Sequence, residues 1–325
     1  MIIKGSTSNF ISFSAEIDLI DDLQENAKKR LTDMGYKDLN LKDYLNTYFN
    51  VKKRKIIPTP RIIHKSDVFC CPKGYESPLK EIEKHITNGD DLTPYMSKLI
   101  DKGDFYDSLL YDWNIQHLHL GIQIPSEKFV SRSKYLLFVF FTEKDAYFIQ
   151  IYPHNEKFVF AKEEMVQIVD RNWNNLISPF SINGILSETI TDKDRALLRQ
   201  SGISTFTDMG NGKIYGNIGG GYASNGISIE AVRNAIFWKN KIKNYQKIIT
   251  DNLAEFFDCV IKNGKPISTN LYFKMLSITD DSIIVAEKNN HMICEIDDKK
   301  NRLTFLCVEA HIQEFISNRS YYDRR

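Results

Sequence analysis

The chain has 325 residues, of which 42% are hydrophobic and 26% charged, and its formal net charge at pH 7 is +1. That length and apolar content support a large core or two to three domains and exclude a disordered tail. The near-zero charge excludes a global field that would advertise nucleic acid, a membrane or an acidic substrate, although local fields stay open.

The five cysteines, Cys70, Cys71, Cys259, Cys294 and Cys307, fit a reducing compartment better than a disulfide scaffold, and the adjacent pair lacks the second pair of a zinc site. No apolar run approaches membrane-spanning length, and the first residues lack the pattern of a secretory signal. The expectation is a soluble cytoplasmic protein without a membrane partner.

In chain order, "EIDLIDDLQENAKKRLTDMGY" places Ile17, Ile20, Leu23 and Leu31 at helical spacing and ends near Gly35. "LKDYLNTYFNV" predicts a second short helix. "KKRKIIPTPRIIHK" follows with six basic residues, Lys52, Lys53, Arg54, Lys55, Arg61 and Lys65, and no acid. Pro58 and Pro60 favour an extended arm there. "PLKEIEKHI" predicts a helix and "NGDDLTPYMS" a turn.

The clearest pattern lies between residues 112 and 177. "HLHLGIQI" alternates, "YLLFVFF" reads as a buried strand, and "AYFIQIYPH" is a third strand after the turn "TEKD". "KEEMVQIVDRNWNNLI" then predicts a covering helix through Met165, Ile168, Val169, Trp173 and Leu176, with Trp113 and Trp173 packing helix to sheet. The glycine-rich "DMGNGKIYGNIGGGYASNG" precedes a long helix starting near Ser228, where Asn225 or Ser228 caps. That segment reads as a turn or as a phosphate-accepting loop, but it spells neither a P-loop nor a dinucleotide fingerprint. The carboxyl end predicts strands over "NLYFKMLSI", "SIIVAEKNNHMICEI" and "RLTFLCVEA".

The predicted class is α+β, with a central, mostly antiparallel sheet, packed helices and an additional carboxyl-terminal β-rich region. Four segments follow: 1–105, mixed helical with a basic extended arm; 106–180, the histidine-bearing core; 181–265, glycine-rich loop and long helix; and 266–325, β-rich.

On an extended strand, residues i and i+2 share a face. Leu118, Leu120, Ile122 and Ile124 then point one way, and His117, His119 and Gly121 the other. A helix would set the two histidines about 200° apart. On the third strand Tyr147, Ile149 and Ile151 form one face, and Gln150, Tyr152 and His154 the opposite one. If the strands pair, three imidazoles and a tyrosine converge on one wall, in a register that a one-residue slip would destroy.

Imidazoles exchange protons near neutral pH, so such a wall suits metal-independent cleavage of RNA, one histidine taking the 2′-hydroxyl proton and another protonating the leaving 5′-oxygen. His117, His119 and His154 are the acid–base candidates. Arg132 would neutralise the phosphate, with Tyr152 or Gln150 donating a further hydrogen bond, and Asp112 would orient His117 or His154. Asp107, Asp170 and Glu127 are the other carboxylates within plausible reach. The basic run, with Lys157, would hold a single-stranded RNA backbone, and Phe49 and Phe69 would stack on bases.

Two other classes stay open. The first is a metal-dependent enzyme with a divalent ion on His117, His119 and His154. Their HxH pair resembles that of cupin-like proteins, without the glycine arrangement of that family. The second is a non-enzymatic module that binds nucleic acid or protein. The paired histidine motifs of the 2H phosphoesterases are not matched by "HLHLG" and "HNEKF".

The stretch "SRSKYLLFVFFTEKDAYFIQIYPHNEKFVFAKEE" resembles the strand-turn-strand portion of RelE-like ribonuclease toxins, over about one tenth of the chain. The resemblance implies basic and aromatic residues, here Arg132, Tyr152, His154 and Lys157, presented to messenger RNA. It also implies translation inhibition or anti-phage defence, and an antitoxin or immunity protein as partner.

Overall fold

A computed structural model describes residues 2–4, 10–37, 43–184, 190–209 and 212–308. Its helices are α1 (Leu19–Asp33), α2 (Tyr44–Arg54), α3 (Glu76–Asn88), α4 (Ser108–Trp113), α5 (Glu164–Ile177), α6 (Asp192–Gln200), α7 (Ile229–Asp251) and α8 (Leu253–Lys262). Its strands are β1 (Ile2–Lys4), β2 (Phe10–Ser12), β3 (Ser14–Ile17), β4 (Ile62–Lys65), β5 (Ile115–His119), β6 (Tyr135–Phe141), β7 (Asp145–Pro153), β8 (Ser181–Asn183), β9 (Thr207–Asp208), β10 (Lys213–Tyr215), β11 (Asn270–Ile278), β12 (Ser282–Glu287), β13 (Met292–Asp297) and β14 (Arg302–Cys307). The class is α+β, as the patterning predicts. Residues 41–42, 210–211 and 309–310 of the predicted elements lie outside the described residues.

The chain divides into two compact units, Met1–Leu31 with Asp43–Leu45 and Ala235–Arg325, and Thr32–Lys42 with Asn46–Asn234. These units do not follow the four consecutive segments read from the sequence. In the first unit β14, β13, β12 and β11 form an antiparallel series, and the amino-terminal β3 adds to it in parallel beside β11. Phe256 of α8 stacks edge-on against Phe273 of β11 and Phe305 of β14, which gives this sheet its aromatic core. Buried Glu287 accepts the amides of Tyr272, Asn289 and Asn290, so its charge is fully hydrogen-bonded.

The second unit holds a four-stranded sheet in the order β4-β7-β6-β5. β4 runs parallel to β7, and the remaining pairs are antiparallel. Both faces are covered. Leu79, Ile82 and Ile86 of α3 pack with Leu118, Leu120, Leu137, Val139 and Phe148 on one side. Met165, Val166, Ile168 and Val169 of α5 pack with Ile115, Leu136, Phe138, Ile149 and Tyr152 on the other. Of the proposed leucine face, Leu118 and Leu120 enter the α3 core as expected, but β5 ends at His119, so Ile122 is exposed and Ile124 does not join them.

The phase of β7 needs a correction. A bulge shifts its register between Phe138 and Val139 of β6, so that Phe138 faces Gln150 whereas Val139 faces Phe148. Ile149 consequently joins the α5 core and Ile151 the α3 core, instead of sharing one face. The bulge leaves Tyr152 on the α5 side, opposite Leu136.

The glycine-rich segment is a close-packed turn. A Cβ on Gly219 would stand 2.2 Å from the Leu110 carbonyl oxygen, so only glycine fits. The amides of Gly219 and Gly221 donate to the carbonyls of Asp112 and Tyr111, at 2.8 and 2.7 Å, which leaves them unavailable to a phosphate. Helix α7 begins at Ile229, but the expected caps are not formed: the hydroxyl of buried Ser228 has no hydrogen-bond partner among the described residues, and Asn225 accepts the Ile227 amide instead.

Helix α6 packs through two arginines four residues apart. The Arg199 guanidinium lies 4.2 Å and that of Arg195 5.2 Å from the centre of the Trp113 ring. Arg199 donates to Asp112 at 2.7 Å and to the Phe160 carbonyl, while Arg195 reaches Glu163. Arg195, Arg199 and Asp112 are all buried. Removing one partner of a buried pair strands the other charge, at a cost of about 3–5 kcal/mol. Arg199→Ala is expected to lose that much stability by denaturant titration, and Asp112→Asn combined with Arg199→Gln to lose clearly less. A loss below about 1 kcal/mol in Arg199→Ala would show that the pair does not hold α6.

Candidate active site

The three histidines meet on the α5 side of the sheet, at its β5 edge. In the β5–β6 pairing His117 lies opposite Phe138 and His119 opposite Leu136, and Leu136 in turn lies opposite Tyr152 of β7. His154 follows β7 directly and donates its backbone N–H to the Lys134 carbonyl at 2.7 Å. The imidazole centres of His117 and His119 are 5.9 Å apart, and those of His119 and His154 5.7 Å. The three imidazoles are thus neighbours, as predicted, but His154 lies past the end of bulged β7 rather than on the strand face expected from alternation, and Gln150 is not with them.

Phe160, in the turn after β7, closes the wall. Its ring stands edge-on to His117 at 5.0 Å and to His154 at 6.3 Å. Exposure is graded: His117 and His119 are half-buried and His154 is exposed. Burial pushes His117 down to about 4, with the neighbouring His154 adding to it. Burial likewise pushes His119 to about 4, followed by His117 and His154. Both imidazoles are neutral at pH 7. Nδ1 of His117 has no hydrogen-bond partner among the described residues.

The predicted supporting residues are distributed differently. Tyr152 shares the wall's side of the sheet, but its hydroxyl donates to Glu164 at 2.9 Å, and the Lys162 ammonium sits 4.3 Å over its ring. Burial and Glu164 raise its ionisation far above the ordinary tyrosine range. Gln150 braces another segment: it accepts from the Cys70 amide and donates to the Val68 carbonyl. Asp112 engages Arg199 rather than a histidine. Asp107 caps α4 by accepting the Leu110 amide at 3.1 Å, and Asp170 accepts from the Tyr215 hydroxyl at 2.5 Å. Arg132, Lys157 and Glu127 are exposed. Arg132 lies in the connection into β6, two residues before Lys134, whose carbonyl holds the His154 amide.

The basic run divides. Arg54 is buried and donates to the carbonyls of Asn50, Lys102 and Gly103. Arg61 is buried and donates to those of Thr142, Ile57 and Thr59. Lys53 pairs with Glu230 at 2.7 Å and Lys65 with Glu83 at 2.8 Å, whereas Lys52 is exposed. Only part of the run is therefore free to hold phosphates. Phe69 packs on Phe148 and Phe49 on Tyr48, rather than standing free for bases.

Sequence reading missed Phe160, Lys162, Arg195 and Arg199. For the arginines the signal was available: their i, i+4 spacing in "DKDRALLRQ" marks one helix face. For Phe160 nothing in the local pattern distinguishes a ring that closes a site from one that fills a core.

No family model, curated protein or solved structure matches this chain. Among the described residues, no group of three or more His, Cys, Asp and Glu side chains is arranged to hold a metal ion, and no helix is long and apolar enough to cross a membrane.

The low histidine values fix a direction for pH dependence. An unfolded histidine binds its proton near 6.5, whereas His117 and His119 in the fold do so near 4. Between these limits the unfolded state holds more protons, so the stability present above pH 6.5 is lost as pH falls toward 4. After allowance for partial solvent screening, the loss is about 2 kcal/mol per histidine. Denaturant midpoints at pH 7 and pH 4.5 should fall less in His117→Asn combined with His119→Asn than in the parent. Equal falls would show that the two rings are not held neutral.

Proposed function

We propose that the histidine wall cleaves RNA phosphodiesters by general acid–base catalysis. The observation that carries this reading is the graded row of three imidazoles at 5.9 and 5.7 Å spacing, two of them neutral and one open to solvent. His119 is the base: it takes the proton of a ribose 2′-hydroxyl as that oxygen attacks phosphorus. The bond from phosphorus to the 5′-oxygen breaks, and the leaving oxygen takes a proton from the imidazolium form of His154. The products are a 2′,3′-cyclic phosphate and a free 5′-hydroxyl, and the two histidines exchange protonation states.

A base with a value near 4 is weak in the free protein. A phosphodiester anion within a few ångströms favours imidazolium and raises it toward neutrality, so substrate binding itself tunes the base. His117, deeper and against Phe160, supports the low dielectric around His119. Arg132 and Lys157 are exposed cations two and three residues from Lys134 and His154, and they supply the phosphate charge balance beside the exposed Lys134. Tyr152 serves by fixing Glu164 and Lys162 rather than by touching substrate.

The RelE-like resemblance of residues 131–164 extends this reading to messenger RNA, with translation inhibition or phage defence as the setting and an antitoxin as the partner. Single-stranded RNA with splayed bases is the substrate form that an exposed sheet edge admits.

Purified protein should cut labelled single-stranded RNA, leave DNA intact, and work unchanged with chelator. His119→Ala and His154→Ala should each lower kcat/KM about 10²–10⁴-fold, and Arg132→Ala should lower it less. Chelator-sensitive cleavage would transfer the histidines to a metal role. RNA that is bound but uncut, or cut equally by the histidine variants, would sink the proposal.

A further inference from the structure

The extended segment between α2 and β4 and the start of β5 enclose an open groove of about 470 Å³. That volume lies in the range that holds small organic ligands. Its lining is electrostatically one-sided: Lys53, Lys55 and Arg61 face it, against one carboxylate, Glu143.

Arg61 is more than nine-tenths buried, and all of its described hydrogen bonds go to main-chain carbonyls. Burial lowers its proton affinity, and it makes no ion pair among the described residues. Lys55 makes no ion pair among the described residues. Burial lowers its affinity first, and Lys128 and Arg54 lower it further against Asp91 and Asp101. A cation that burial and like charges disfavour gains from an incoming anion. Lys53 is fixed at the rim by Glu230 and by the Asn114 side chain at 3.5 Å.

The remaining wall is apolar. Ile57 is 68% exposed on the groove, and Phe141 carries the Arg61 guanidinium 5.3 Å from its ring centre. A large apolar side chain left open beside Lys55 and Arg61, which make no ion pair among the described residues, fits a ligand with an anionic head and a hydrophobic body.

We propose that this groove binds a small phosphorylated molecule, its phosphate against Lys55 and Lys53 within the field of Arg61 and its apolar or aromatic body on Ile57 and Phe141. A phosphate dianion suits the site better than a carboxylate because it meets more than one cation at once, with lysines acting as point charges. This site is separate from the histidine wall and does not rest on the ribonuclease reading.

The probe is phenyl phosphate, titrated calorimetrically into the full chain and followed by the Ile57 methyl resonance. It should bind saturably and at least tenfold tighter than inorganic phosphate, and phenol should not bind. Lys55→Gln should weaken phenyl phosphate at least tenfold and Lys53→Gln less, with unchanged melting temperatures, while His154→Ala keeps the parent affinity. Should Lys55→Gln fail to fold, Lys53→Gln and the Ile57 shift in the parent chain carry the test. Equal affinity for phenyl and inorganic phosphate, an unmoved Ile57 methyl, unaltered binding in both lysine variants, or binding lost in His154→Ala would each overturn the assignment.

Discussion

The second unit depends on one constraint: strand β5 lies at the edge of a sheet with a core on each face. Period-two alternation sends Leu118 and Leu120 toward α3 and leaves His117 and His119 on the α5 side. Those imidazoles sit where the α5 layer ends, so one flank meets Phe138 and Phe160 and the other meets the exposed His154. Toward the sheet interior the same positions are filled by Leu136 and Tyr152, which are buried. Only at the edge can a ring be half-desolvated and still be reached by a ligand.

Around that edge, cationic side chains act as internal braces. Arg54 and Arg61 tie the chain on either side of Pro58 and Pro60 to main-chain carbonyls, while Arg195 and Arg199 clamp Trp113 and hold the turn that contains Phe160. Guanidinium suits this role because its planar fork satisfies several carbonyls at once and stacks on rings while keeping its charge. It also explains why a dense basic run in the sequence does not become an equally dense basic surface. The lysines, whose ammonium groups seek water, account for most of the surface charge that is left.

Strand alternation was the legible part. The faces of β5, the two-strand hairpin of β6 and β7, the covering helix α5 and the carboxyl-terminal strands all follow from periodicity in the sequence. What stayed hidden depends on contacts that skip along the chain. The bulge at Ile149 is a property of pairing with β6, and it turns Ile149 and Ile151 to different cores although they are two residues apart. Asp112 lies five residues from His117, yet its partner Arg199 is 87 positions away. The parallel addition of β3 to β11 joins residues 256 apart, as in the Ser14–Asn270 bond, which is why consecutive segments did not predict the compact units.

Two groups of one chemical type serve as acid and base when unlike surroundings push their proton affinities apart. The edge of this sheet provides the difference with three copies of one residue. His117 is driven neutral chiefly by burial and next by His154, and His119 chiefly by burial, next by His117 and then by His154. His154, outside the strand proper, is tethered through its backbone to Lys134, borders His119 and Phe160, and remains exposed. In the proposed reaction a substrate anion would reverse the sign of the electrostatic contribution while leaving burial in place, so the wall's proton affinity would rise on binding. Two rings held neutral by burial beside a third in solvent are what a sequence with two histidines on one face of β5, and a third just past the end of β7, is built to give.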